Sequence, residues 1–166
     1  TNCDSIRSIK FASDSKVRTI SADAFACSTI ESLSIPASVV ELEERWCADV
    51  LYLKQIEIDP KNPLYSTCDG NKYVIGKTSK EGKNFDVLIF GARNLKIANI
   101  PDFIKIIAPN AFHHSPKLQY VKFSANSELQ VIEYDAFVFS SIVKLFAPRH
   151  LTRIGEFAFH DCINLR

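Results

Sequence analysis

One apolar spacing recurs along almost the whole sequence and constrains the fold more than any other feature. Its clearest copy is Cys27-x-x-Ile30-x-x-Leu33-x-Ile35, and copies begin at residues 3, 27, 50, 92, 115 and 139, with Cys162-x-x-Leu165 opening a seventh. All steps between copies are 23 or 24 residues, except one of 42. A unit of this length cannot bury both of its apolar faces alone, so successive units must stack into one continuous core.

A second apolar pattern lies between these copies. It reads Val-x-x-Ile-x-x-x-Ala-Phe, and its five copies begin at Val17, Val39, Ile104, Leu129 and Leu151. The end of the first pattern alternates as a half-buried strand does, and the spacing i, i+3, i+7, i+8 of the second favours a helical turn. We therefore predict an α/β repeat, a solenoid in which each unit contributes a short strand to one parallel sheet and a helical turn to the other side. The Phe of each Ala-Phe pair is expected to fill the space between them.

Residues 59–94 form an island that interrupts the period and contains four of the five glycines. Within it, residues 72–75 and 85–90 are rich in strand-forming side chains, and the polar stretch 76–84 separates them. The island is therefore predicted to be a β-hairpin that replaces the helical half of one unit and keeps the stack continuous. Its loop carries Lys77, Lys80 and Lys83, and is either a solvated tip or a contact loop for an acidic partner.

Both patterns together resemble the BspA-like, or Treponema pallidum-type, leucine-rich repeats of surface proteins of bacteria and of some parasitic protists. The resemblance covers nearly the whole chain and departs from the family pattern at Trp46-Cys47, which replaces an Ala-Phe pair. It implies a horseshoe-like leucine-rich-repeat solenoid. We expect a single domain over residues 1–166, with about six units and the start of a seventh, as a segment of a longer repeat protein.

Composition argues against several classes of partner. Twenty Lys and Arg stand against 19 Asp and Glu, which gives a formal charge of +1. No broad positive charge therefore favours nucleic acid or an anionic membrane. No apolar run approaches the roughly 20 residues of a membrane span. We predict neither a nucleic-acid partner nor membrane insertion in this segment.

The sequence shows no catalytic or cofactor-binding constellation. Gly76-Lys77-Thr78 ends like a phosphate-binding loop, but Asn71 stands where the first glycine is required and no helix follows. Acidic residues are scattered without a recurring pair that could act as general acid and base. We therefore predict a protein that is not an enzyme and that needs no cofactor.

Histidines and cysteines are interpreted as structural residues. His113 and His160 lie two units apart, roughly 10 Å by strand spacing, which is too far for one metal ion. The adjacent His113 and His114 should point to different faces, so no metal site is expected. Four cysteines occupy repeat columns and are expected to be free, buried thiols, although a disulfide between the first two is left open. They are Cys3, Cys27, Cys47 and Cys162. The fifth, Cys68, is expected to be the accessible thiol.

The outward positions of the predicted strands change character along the stack. The first three strands carry small or polar residues there, whereas the last three carry apolar and aromatic residues beside lysines. Aromatic residues beside cations are typical of binding hot spots. The alternative is that these are ordinary single exposed apolar residues, with Phe146 covered by a neighbouring repeat. This candidate binding ridge consists of Ile97, Tyr120, Lys122, Lys144 and Phe146.

The family resemblance also implies a function. It implies a cell-surface or extracellular adhesion module that binds the extracellular matrix or proteins of a host or another cell. The alternative is an intracellular, cytoplasmic scaffold that docks signalling or regulatory proteins. Both are non-enzymatic protein-binding roles.

Overall fold

The structure is a computed structural model that describes residues 6–166, and these residues form fourteen short β-strands and no helix. The strands are β1 (Ser8–Ile9), β2 (Thr19–Ile20), β3 (Ser32–Ile35), β4 (Glu41–Leu42), β5 (Gln55–Ile58), β6 (Tyr65–Cys68), β7 (Tyr73–Gly76), β8 (Val87–Gly91), β9 (Ile97–Asn99), β10 (Ile106–Ile107), β11 (Tyr120–Lys122), β12 (Val131–Ile132), β13 (Lys144–Leu145) and β14 (Arg153–Ile154). Within this part of the chain, no helix is long and apolar enough to cross a membrane.

Each regular unit contributes two strands to a β-solenoid. Strands of the first pattern pair in parallel in the orders β1-β3-β5 and β9-β11-β13. Strands of the second pattern pair in parallel as β2-β4 and as β10-β12-β14, the latter within a six-stranded sheet that continues through β8, β7 and β6. The predicted repeat solenoid with one short parallel strand per unit is confirmed, and the second strand was not predicted.

The helical turn predicted for each unit is wrong. The segments that contain the Ala-Phe pairs, or Trp46-Cys47 in their place, are successive turns. In each segment, the residue just before the pair has a positive φ, and so does the residue four positions after that one. These are Asp23 and Cys27, Arg45 and Asp49, Asn110 and His114, Asp135 and Phe139, and Phe157 and Asp161. Left-handed residues at this interval stop a right-handed helix from propagating. A short strand followed by such a turn thus produces an apolar spacing that also fits a helix.

Phenylalanines of the Ala-Phe pairs help to fill the core, as predicted, and three of them form a ladder of stacked rings that was not predicted. Phe112 and Phe137 are fully buried, and their rings stack in parallel with centroids 5.0 Å apart. The ring of Phe159 stacks on the other side of Phe137 at 5.2 Å. Successive turns are also joined by backbone hydrogen bonds, as when the Phe112 N–H donates to the Ala136 carbonyl at 2.8 Å. The ladder therefore joins three successive units.

The island is part of the core. Its predicted hairpin exists as the antiparallel pair β7-β8, but a third strand, β6, adds to the outer edge of β7. All four residues of β7 are buried: Tyr73 and Ile75 belong to one apolar cluster and Val74 to the other. Since β8 pairs in parallel with β10, the island supplies the strand that the second pattern supplies elsewhere.

The first-pattern strands do not form the single continuous sheet that was expected. Island backbone lies between β5 and β9, where the Asn71 carbonyl accepts a hydrogen bond from the Ile56 N–H at 3.4 Å. The neighbouring Lys72 carbonyl accepts one from the Ala92 N–H at 2.8 Å. These hydrogen bonds replace direct pairing of β5 with β9, and the sheet is split into two of three strands.

Candidate functional site

Outward side chains of β9, β11 and β13 form an aligned row. Ile97 is the register partner of Tyr120, and Tyr120 is the partner of Lys144. Adjacent strands lie about 4.8 Å apart, so these side chains lie next to one another on one face. Ile97 and Tyr120 are 37% and 39% exposed, while the alternate residues Ala98 and Val121 are buried in the core. Strand alternation therefore presents an apolar and an aromatic side chain to solvent.

Phe146 and Lys122 complete this face. Phe146 directly follows β13 and is 72% exposed, so no other described residue covers it. The Lys144 ammonium lies 4.6 Å from the centroid of its ring, a cation–π contact that holds both side chains on the surface. Lys122 is exposed and is the register partner of Asn99. All five ridge residues are thus carried by, or directly follow, strands of one three-stranded sheet.

The other first-pattern sheet has a different surface. Ser8, Ser32 and Gln55 are register partners on β1, β3 and β5, and the Ser32 hydroxyl lies 2.9 Å from that of Ser8. The second outward column pairs Ser34 with Glu57. These five positions offer no aromatic or large apolar side chain, so the predicted change of surface character along the stack is present in the folded chain.

The lysine loop connects β7 to β8 and therefore belongs to a different sheet from the ridge. Lys80 and Lys83 are exposed, whereas the half-buried Lys77 has its ammonium 5.0 Å from the Phe85 ring centroid. The loop is anchored by Thr78, whose N–H and hydroxyl both donate to the Asp86 carboxylate, at 3.1 and 2.6 Å. Although burial raises the pKa of Asp86, these hydrogen bonds and the charge of Lys105 lower it overall.

Arg93, for which the sequence pattern gave no signal, is among the largest fully buried side chains of the described residues. Its guanidinium donates to the carbonyls of Cys47 and Ala111, at 3.3 and 2.9 Å, and to the Ser115 hydroxyl at 3.4 Å. Its charge also lies over the Phe90 ring, 4.6 Å from the centroid. Burial lowers the pKa of Arg93 to about 10, so the side chain is charged at neutral pH. A buried cation here joins two turn segments that are distant in sequence.

Arg93 and Gly91 take the place of a missing turn. In regular units, an N–H of one turn donates to a carbonyl of the next, but the island has no Ala-Phe turn to donate to Ala111. The Gly91 N–H and the Arg93 side chain donate to that carbonyl instead. Position 91 requires glycine, because a Cβ there would lie 2.0 Å from Cε1 of Phe112.

Because that turn is missing, Asp49 is brought next to His113 and His114. One carboxylate oxygen, Oδ2, accepts a hydrogen bond from Arg45 Nη2 at 3.3 Å. The other, Oδ1, is in direct contact with Nδ1 of His114 and lies 3.5 Å from Nδ1 of His113. The premise that the two adjacent histidines point to different faces is therefore wrong: the left-handed backbone of His114 directs both Nδ1 atoms to one carboxylate.

His113 and His114 have different environments within this cluster. His113 is 4% exposed, and its Nδ1 is buried without a hydrogen-bond partner among the described residues. Burial lowers the pKa of His113 to about 4, which outweighs the opposing effect of Asp49. His114 is partly exposed and stacks on the Phe139 ring, with centroids 4.6 Å apart. The side chain of His113 is thus neutral at pH 7, whereas that of His114 reaches solvent.

The cysteines follow the prediction only in part. Cys47 and Cys162 are free and buried, as expected, and burial raises the pKa of Cys47 to about 12. Cys27 was expected to be buried and is exposed. Cys68, expected to be accessible, is half-buried with a pKa raised by burial to about 11. Cys3, and with it the open question of a disulfide to Cys27, lies outside the described residues.

Comparison with known proteins places this repeat in a family. A family model described as the BspA type leucine-rich repeat region matches six copies over residues 1–71 and 77–166. No functionally curated protein matches the chain.

Three solved structures share the fold. A leucine-rich repeat protein from Eubacterium ventriosum is 19% identical, with 90% of this chain and 38% of that one covered and a TM-score of 0.74. The pneumococcal vaccine antigen PcpA is 20% identical, with 98% and 44% covered and a TM-score of 0.74. A leucine-rich cell surface protein from Faecalibacterium prausnitzii is 20% identical, with 99% and 47% covered and a TM-score of 0.66. The chain thus spans less than half the length of each of these structures.

Proposed function

We propose, since the chain belongs to the BspA-type leucine-rich-repeat family, that it is a non-enzymatic protein-binding module displayed at a cell surface or outside the cell. There it contributes to adhesion, binding an extracellular-matrix protein or a protein of a host or another cell. The proposal takes residues 1–166 as a single repeat domain. Stacked repeats offer extended surfaces suited to binding proteins.

The observation that carries this proposal is the ridge of Ile97, Tyr120, Lys122, Lys144 and Phe146. Aromatic residues and cations are favoured at the centres of protein interfaces, and large apolar side chains that remain exposed in register are suited to binding a partner. Tyr120 and Phe146 supply contact area, whereas the two lysines favour carboxylates around it. A protein surface with an apolar patch and acidic residues at its edge fits this face.

Two further findings support the location and a second contact. Two of the matched structures are described as a vaccine antigen and as a cell surface protein, which supports display at the surface. Lys80 and Lys83 project from the β7-β8 loop into solvent, which supports an additional contact with an acidic partner. Such a contact would steer association and would weaken as salt is raised.

The ridge is tested by binding of the chain to plates coated separately with purified collagen, laminin and fibronectin. We expect saturable binding to at least one of them, and the double substitution Tyr120→Ala with Phe146→Ala should weaken it at least tenfold. The change in Tm should be small, because both side chains are exposed. Ser32→Ala with Gln55→Ala, on the outward face of the other sheet, is the matched control and should bind like the unsubstituted chain.

Three results would contradict parts of the proposal. Unchanged binding by the Tyr120 and Phe146 double variant would remove the ridge as the contact surface. Absence of saturable binding to all three coated proteins would count against matrix adhesion. Localisation of the full-length protein in the cytoplasm would favour the scaffold alternative.

A further inference from the structure

Asp49, His113 and His114 direct three ligand-type atoms toward one point at the boundary between the island and the regular units. These atoms, one carboxylate oxygen and two imidazole nitrogens, all lie within 4.8 Å of one another. From this geometry we infer that the cluster is a binding site for a single transition-metal ion, with Zn²⁺ as the preferred ion. This inference does not depend on the proposed adhesion function, because none of the ridge residues belongs to the cluster.

The unsatisfied nitrogen of His113 is the observation that indicates a ligand. A buried polar atom without a partner is unfavourable unless something binds it, and Nδ1 of His113 is such an atom, directed at Asp49. A metal ion bound at this point would satisfy the nitrogen.

Coordination requires only small side-chain movements. Zinc binds imidazole nitrogen and carboxylate oxygen at about 2.0–2.2 Å, so tetrahedral ligands lie about 3.3 Å apart. Asp49 Oδ1 is already 3.5 Å from His113 Nδ1. His114, which is partly exposed, needs to move slightly away from Asp49, whose carboxylate it contacts directly. Asp49 and His114 border solvent, which leaves room for water as a fourth ligand.

The surrounding residues hold two of the ligands in place. Arg45 donates to Asp49 Oδ2 and thereby leaves Oδ1 to face the histidines. The Phe139 ring stacks on His114 and restricts its orientation. Neighbouring groups that orient ligands in this way typically contribute 10- to 100-fold to metal affinity. Because two ligands are imidazoles, Zn²⁺ should be favoured over the oxygen-preferring ions Ca²⁺ and Mg²⁺.

An ion here would join two turn segments that lie on opposite sides of the island in sequence. Asp49 ends the turn before the island and His114 ends the turn after it. In regular units such turns are joined by backbone hydrogen bonds, whereas here side chains join them: Arg93 donates to carbonyls of both turns, and Asp49 contacts His114. A metal ion would therefore stabilise the stack at the position where its regular hydrogen bonding is interrupted.

The test is zinc titration of the whole chain after dialysis against EDTA, with a chromophoric chelator as competitor and Tm as a second readout. We expect one ion per chain with a micromolar or lower Kd, and a Tm increase of about 5–10 °C when free zinc exceeds Kd 100-fold. Ca²⁺ and Mg²⁺ at equal concentration should leave the Tm unchanged. Co²⁺ in place of zinc should give visible absorption of a four-coordinate site.

Variants distinguish the cluster from adventitious surface binding. His114→Gln is chosen because this side chain is partly exposed, and it should weaken zinc binding at least tenfold and abolish the Tm increase. Asp49→Asn should do the same. His160→Gln is the matched control: His160 also lies beside a carboxylate, with Nε2 3.2 Å from Asp161 Oδ2, but it is not part of the cluster. Absence of saturable zinc binding, or unsubstituted affinity in His114→Gln, would overturn the inference.

Discussion

Replacing Phe137 with alanine tests how the units hold together. The Phe137 ring is fully buried and stacks on Phe112 at 5.0 Å and on Phe159 at 5.2 Å. Truncation removes both stacking contacts, each contributing about 0.5–1.5 kcal/mol beyond burial, and leaves a cavity in the core. Together, the lost burial of the ring and the cavity should lower the free energy of unfolding by about 3–5 kcal/mol. At about 2–4 °C per kcal/mol for a chain of this size, the Tm should fall by about 6–20 °C.

Phe159→Ala provides the matched comparison for this experiment. Phe159 has the same place in its unit, but it is only partly buried, and among residues 6–166 only the Phe137 ring stacks on it. Its truncation should therefore cost roughly half as much as that of Phe137. The assay is urea unfolding followed by circular dichroism and by fluorescence of Trp46, because coincident transitions are needed for a free energy of unfolding. If Phe137→Ala costs no more than Phe159→Ala, the ladder does not couple the units.

Three further predictions follow from the junction between the island and the regular units and from the thiols. Gly91→Ala should destabilise the chain by about 1–3 kcal/mol, because the added Cβ overlaps the Phe112 ring. The measurement is the urea midpoint, which should fall, and an unchanged midpoint would refute the overlap. Arg93→Met should cost about 1–3 kcal/mol, because the buried Cys47 carbonyl loses its donor while the Ala111 carbonyl keeps the Gly91 N–H. A neutral effect in the same assay would show that the guanidinium does not join the turns. Iodoacetamide at pH 8 should modify exposed Cys27 rapidly and Cys47 only on unfolding, as measured by mass spectrometry. The reason is that Cys47 is buried and that burial raises its pKa to about 12. Equal rates of modification would contradict the burial of Cys47.

Much of the fold could be predicted because repeated units face the same packing problem. The spacing around Leu33 recurs in every unit, so one interpretation of it as a strand held for all of them. The same reasoning placed the phenylalanines of the Ala-Phe pairs in the core, although it did not predict that their rings stack. The helical turn failed because apolar spacing reports which side chains are buried, not the sign of φ, and positions such as Asp135 adopt left-handed backbone. Asp and Asn at several of these positions were the available signal, because both tolerate that conformation.

The candidate sites also differ in whether the sequence could reveal them. The outward residues of the ridge were identified because strand alternation and register follow from the repeat, so Ile97, Tyr120 and Lys144 had to align. Arg93 and Asp49 carried no comparable signal, since both lie outside the apolar columns from which the predictions were made. Their partners lie up to 65 residues away in sequence, beyond the reach of any local pattern.

The sequence by itself thus determined the stacking of units, the first-pattern strand of each unit, the burial of the Ala-Phe phenylalanines and the surface that β9, β11 and β13 present. Local spacing is sufficient for these features because the same contacts are made between every pair of neighbouring units. Only the tertiary structure decided how the island enters the stack and what lies at the resulting junction. There, omission of one turn brings the segments that contain Asp49 and His114 together, and a buried arginine supplies the hydrogen bonds that the missing turn would have made.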